Sequence, residues 1–108
     1  MKSHVLSQIE LDNLTQQIVK KLSPNRIILF GSYAKGDYHA GSDLDLCILL
    51  ETEQDWYERR LLFARRIRFQ ALHVEAHIYT EKEWETMIEE EQSLALQIQQ
   101  EGKVLYEQ

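Results

Sequence analysis

The chain has one cysteine, one proline and four glycines among its 108 residues. It also lacks any apolar stretch near the roughly 20 residues that a membrane helix needs. Its longest apolar runs are Ile27–Phe30 and Leu46–Leu50. A single cysteine cannot close an internal disulfide. Cys47 stands inside an apolar run, which marks it as a small buried filler rather than a nucleophile. Basic charge is scarce too: 12 Lys and Arg face 18 Asp and Glu, for a net charge of −6. That balance argues against direct binding to nucleic acid, which calls for a basic footprint. The opening "MKSHVLSQIE" holds no apolar signal block, so a cytoplasmic location away from membranes is expected.

What is present is ordinary globular material: 44% hydrophobic and 28% charged residues. This suffices for one domain over residues 1–108 with one modest core. The charge is unevenly spread. "RRLLFARRIR" carries Arg59, Arg60, Arg65, Arg66 and Arg68, while Glu81 to Glu91 holds six glutamates. Such a division suits either two solvated helix faces or a surface that meets a partner.

Periodicity orders the chain as α-β-(turn)-β-α-β-α-β. Ser7 and Glu10 form a capping box for a helix whose apolar positions are Leu11, Leu14, Ile18, Val19 and Leu22, stopped by Pro24. "NRIILF" is a strand buried on both faces, and "SYAKG" has room for one helical turn. "DYHAGS" is a loop, "DLDLCILL" a second strand, and Asp55 to Gln70 a helix without one clean apolar stripe. "LHVEAHIYT" alternates, with Val74, Ala76 and Ile78 opposite His73, Glu75, His77 and Tyr79. Thr80 and Glu83 cap a further helix through Trp84, Met87 and Ile88. It, or a successor, runs by Leu94, Leu96 and Ile98 to a terminating Gly102, before an edge strand "KVLYE". The fold class is α/β (α+β): a small mixed sheet flanked by helices.

Two features carry chemistry. Residues two apart in a strand project to one face with Cα atoms about 6.5–7 Å apart. Asp43 and Asp45 thus set two short carboxylates side by side, and these repel unless a cation lies between them. Mg²⁺ suits that place, because it takes one or two carboxylates and completes its shell with water and phosphate oxygens. Upstream, Gly31 and Ser32 follow an apolar strand and offer backbone N–H groups and a hydroxyl to an anion. Gly31 admits a phosphate close to the backbone, and Lys35 can neutralise a triphosphate tail. A separate possibility is zinc, since His73, Glu75 and His77 project together.

"GSYAKGDYHAGSDLDL" resembles the signature of the polymerase-β-like nucleotidyltransferases: Gly-Ser, ten residues, Asp-x-Asp. More closely it looks like the minimal nucleotidyltransferases, the antitoxin halves of HEPN–MNT toxin–antitoxin pairs. The likeness is strong over Ile27 to Leu50; elsewhere only length and element order agree. It implies a polymerase-β-like nucleotidyltransferase fold and a third carboxylate on a neighbouring strand. Glu75 is the candidate, where the family usually has Asp. It further implies catalytic and metal-binding Asp43, Asp45 and Glu75, with Gly31, Ser32, Lys35, Asp43 and Asp45 on the nucleotide. Two Mg²⁺ ions would assist transfer of AMP from ATP to a hydroxyl, expected to be a tyrosine of a HEPN toxin held in a hetero-oligomer. The alternatives are an antitoxin that acts by binding alone and a transferase for a small molecule such as an aminoglycoside.

Overall fold

The structure, a computed structural model, describes residues 4–91 and 93–108. Residues 1–3, which open the stretch read for a signal block, and Gln92 lie outside that description.

The first helix, α1 (Gln8–Leu22), begins with the expected capping box: the Glu10 N–H donates to Ser7 Oγ at 3.2 Å and the Ser7 N–H to Glu10 Oε1 at 2.9 Å. Its Leu11, Leu14 and Ile18 are buried. Ser23 ends it in a left-handed conformation and Pro24 follows. Then come β1 (Arg26–Phe30), the short α2 (Ser32–Lys35) and β2 (Leu44–Leu49). After these stand α3 (Trp56–Arg66), β3 (Val74–Tyr79), α4 (Glu81–Ile88), α5 (Leu94–Glu101) and β4 (Lys103–Glu107).

The strands form one mixed sheet in the order β3-β2-β1-β4, with β2 and β3 parallel and both other pairs antiparallel. Both sheet faces are covered, which is why β1 and β2 read as continuous apolar runs. On one face Ile27, Leu29, Leu44, Leu46, Ile48 and Ile78 pack with Leu11, Leu14 and Ile18 of α1, with Leu62 and Phe63 of α3, and with Ile67 just beyond it. On the other face Ile28, Cys47 and Leu49 meet Trp84, Ala95 and Ile98 of α4 and α5. Asp45 shares that second face by alternation, at the end of β2 where burial is only partial. Cys47 is buried, and its burial pushes the thiol up to about 12.

Two helices depart from the sequence reading. The helix expected through Gln70 ends at Arg66, with Ile67 already extended. Its missing stripe has a physical cause: Arg59 occupies a core-facing position one turn before Leu62 and Phe63. Arg59 is buried, paired with Glu83 at 2.7 and 3.1 Å, and donates to the carbonyls of Gln54 and Ile78. It therefore leaves the set of arginines free to meet a partner. Gly102 does terminate α5, but with φ −75° rather than left-handed. Its reason is proximity: a Cβ there would lie 2.5 Å from the Ile98 carbonyl oxygen and 2.6 Å from Ile28 Cγ2.

Among the described residues, no helix is long and apolar enough to cross a membrane.

Candidate active site

The strand register assembles the acidic groups. Asp45 pairs with Glu75 across the parallel β2–β3 ladder and with Phe30 across the antiparallel β1–β2 ladder. The Leu44 N–H donates to the His73 carbonyl at 2.9 Å, which sets Asp43, one residue before β2, beside His73, one residue before β3. Ser42, buried just upstream, accepts the His39 N–H on its hydroxyl at 2.9 Å and fixes the loop that delivers Asp43.

The outcome is a cluster in which ligand atoms of Asp43, His73 and Glu75 all lie within 4.8 Å of one another. His73 Nε2 is 3.0 Å from Glu75 Oε1. That hydrogen bond, aided by the charges of His73, Arg60 and His77, holds the Glu75 carboxyl below its ordinary range despite some desolvation. The Arg60 guanidinium itself rests over the Trp56 ring, 5.3 Å from its centroid.

Asp45 sits deeper. Its Oδ2 lies 2.3 Å from the position a Cβ on residue 31 would take, so only glycine leaves space for it there. Gly31 also has φ 74° and ψ −154°, a backbone region essentially reserved for glycine. Burial pushes the Asp45 carboxyl above its ordinary value; the neighbouring His77 opposes this, and the charges of Asp43 and Glu75 add to it. His77 closes this side, its ring edge-on to Phe30 with centroids 5.2 Å apart.

These donors fit a divalent cation by their chemistry. Carboxylates from the adjoining ends of β2 and β3 gather excess negative charge, two of them stand with an imidazole nitrogen within 4.8 Å of one another, and burial disfavours the ionised form of Asp45. Ser32 opens α2 directly after Gly31, while the N–H groups of Ala34 and Lys35 turn back to the Gly31 carbonyl. Lys35 is exposed on the last turn of α2.

Strand alternation alone puts His73 with Glu75 and His77. The structure groups it with Glu75 and Asp43, a proximity that only the β2–β3 register reveals. Arg60 was legible as a basic residue, but nothing in the sequence set its charge beside Glu75. A shallow cavity of about 160 Å³ between α3 and β3 is lined by Arg60, Phe63, Ala64, His73, Val74, Glu75 and Ala76. A larger cavity, about 880 Å³, lies elsewhere, where Trp56, Arg59, Tyr79, Thr80 and Met87 meet beyond the other end of β3. Asp43, Asp45 and Glu75 are not among its lining residues, so size alone does not locate the chemistry.

Comparison with known proteins agrees with this architecture. A structural match is a crystal structure described as a nucleotidyltransferase from Sulfolobus solfataricus, with TM-score 0.59, 20% identity, and coverage of 94% of this chain and 84% of that one. Another is a toxin–antitoxin structure with AMP-PNP, with TM-score 0.58, 20% identity, and coverage of 90% and 73%. At that identity they speak for the fold alone. A search of curated proteins finds no match. The family model described as "Nucleotidyltransferase domain" matches residues 11–105, nearly the whole chain. The chain belongs to the nucleotidyltransferase domain family.

Proposed function

We propose that the protein is an antitoxin that transfers AMP from ATP to a hydroxyl of a partner toxin, a tyrosine of a HEPN-type protein. The observation that carries this reading is the packing of Asp45 against Gly31, which joins the Gly-Ser turn and the acidic strand end into one site. The toxin–antitoxin neighbour of the same fold, which carries AMP-PNP, supports the partner class and the nucleotide.

Nucleotidyl transfer forms a bond between the acceptor oxygen and the α-phosphorus and breaks the bond to the bridging oxygen, so pyrophosphate leaves. It asks for in-line alignment and neutralised phosphoryl charge rather than covalent help. Asp43, Asp45 and Glu75 would hold two divalent ions, Mg²⁺ where all donors are oxygens. Bound there, the ions would supply charge neutralisation and a more acidic acceptor hydroxyl. Gly31 and Ser32 bind the β- and γ-phosphates through backbone N–H and hydroxyl, and Lys35 offsets their charge. Glu75, held ionised, accepts the proton of the acceptor hydroxyl.

Docking falls to the outer side of α3. Trp56 is 67% and Tyr57 61% exposed, next to the exposed Arg60, Arg65 and Arg66. Large exposed aromatics with arginines are the residue types that anchor protein interfaces. The test is mass spectrometry of the product of the neighbouring open reading frame after co-expression. Added adenylate, lost on Asp43→Asn, supports the proposal. An inhibited but unmodified toxin contradicts transfer and leaves binding alone.

A further inference from the structure

The sheet has an open edge far from the acidic cluster. In the order β3-β2-β1-β4, the last strand pairs with β1 on one side only, and its Val104 is 56% exposed. Such an edge is a template for another chain unless something covers it. Beside it, between α1 and β4, lies a cavity of about 460 Å³ lined by Asp12, Gln16, Val19, Lys20, Leu105 and Tyr106. The helical residues among these form one stripe of α1. The opposite flank of α1 is already taken: Gln17 and Lys21 donate to the carbonyls of Arg68 and Arg66 at 2.8 and 3.1 Å.

The two elements run the same way. Lys103 lines a cavity with Ser7 and Gln8 at the start of α1, and the Gln108 N–H donates to the Asn25 carbonyl beyond its end. Charge runs along them in opposite senses. Asp12 precedes Lys20 on α1, whereas Lys103 opens β4 and Glu107 closes it. Eight residues of helix span about 12 Å and four residues of strand about 13 Å, so the two charge pairs share one length. Their midpoints, Gln16 and Leu105, line the same cavity. Among the described residues, none of the four charges belongs to an ion pair within the chain. A two-fold axis through that midpoint would set Asp12 against Lys20 of another copy, and Lys103 against its Glu107.

We propose that this edge binds a second copy of the chain, with α1 and β4 of each antiparallel to those of the other. Complementary charge fixes the register and selects the partner. A patch that meets itself closes as a pair and does not grow into a fibre. The register shift opposite Ile27 and Ile28 kinks β4 and discourages extended strand pairing, so side chains carry the contact. β1 stands between β4 and the acidic ends of β2 and β3, which leaves both sites of the pair open. The surface is independent of the transfer reading.

The test is sedimentation velocity at about 100 µM protein and low salt, where mass action and weak screening favour the pair. It compares the native chain with Asp12→Lys, Lys20→Glu, the double variant and Arg65→Glu. The native chain should be a dimer. Each single reversal puts like charges together twice per dimer and should raise the Kd about tenfold or more. Opposite signs meet again in the double variant and in an equimolar mixture of the two single variants. Both should therefore dimerise at least about fivefold more tightly than either single variant alone. Arg65→Glu changes net charge as Lys20→Glu does, but on α3, and should leave the Kd unchanged. A monomeric native chain, single reversals that dimerise like it, or a double variant and mixture without recovery each overturn the proposal. All three positions are exposed, and circular dichroism confirms that the variants fold.

Discussion

Replacing Gly31 by alanine strikes the link between the phosphate turn and the acidic strand end. Two costs arise. The backbone at φ 74° and ψ −154° is hostile to any side chain, worth about 1–3 kcal/mol. For a domain of this size that lowers Tm by roughly 5–20 °C. The new Cβ would also stand 2.3 Å from Asp45 Oδ2, where real Cβ contacts stay beyond 3.0 Å, so the carboxylate retreats by about 0.7 Å or more. The retreat is sterically cheap, because the end of a side chain moves, but it displaces a ligand. A 1 Å misplacement can lower a rate 100-fold, so transfer should fall about 10–100-fold in the protein that remains folded. Gly36→Ala is the control. It meets nothing within 4 Å at φ 84°, so it should lose about 1–2 kcal/mol of stability and keep its transfer rate. Urea denaturation gives the stabilities, and labelled-ATP transfer at a temperature where both variants are folded gives the rates. Equal transfer by Gly31→Ala and Gly36→Ala would refute the claim that Gly31 makes room for Asp45.

Asp45→Asn should raise the Tm of the protein in EDTA at pH 7. The Asp45 carboxyl is pushed above its ordinary 3.8, so the stability linked to its proton is present below that value and lost as pH rises through the higher folded one. Scanning fluorimetry from pH 7 downward should show the advantage of the variant shrinking; a variant less stable at pH 7 would contradict the burial argument. Arg59→Met removes the pair with Glu83 and two donations to backbone carbonyls, and should cost about 2–3 kcal/mol in urea denaturation. The figure is at the low end for a buried pair because Glu83 is 45% exposed and stays hydrated. The Arg59 hydrogen bond holds the Glu83 carboxyl below 4.5, so that part of the stability is present above 4.5, is lost as pH falls through the lowered value, and should vanish from the variant's pH profile. Cys47, its thiol pushed up to about 12, should stay unreactive to a thiol reagent at pH 8 until urea unfolds the chain.

Most of the fold was legible in the sequence because its local signals agree with its global arrangement. The Ser7–Glu10 and Thr80–Glu83 boxes close as their spacing suggests, and the alternation of Val74, Ala76 and Ile78 separates the faces of β3. The third helix was harder, because an arginine stands where an apolar residue belongs and its partner, Glu83, is 24 residues away. In the site, period two predicts one face for Asp43 and Asp45, but Asp43 lies just before β2 and the two differ in depth. That depth depends on which strand lies beside each: Asp45 falls opposite Phe30 and the Gly31 turn, while Asp43 precedes the ladder and meets His73. The register between β2 and β3 is a long-range property, and no local pattern encodes it.

The central claim is that the acidic strand end and the Gly-Ser turn act as one nucleotidyl-transfer site. The most direct measurement incubates the protein with labelled ATP, a divalent ion and the product of the neighbouring open reading frame, comparing the native chain with Asp43→Asn and Asp45→Asn. The account predicts label on that product with the native chain and at least a 100-fold lower rate with either variant. Label transferred equally by all three proteins would contradict it.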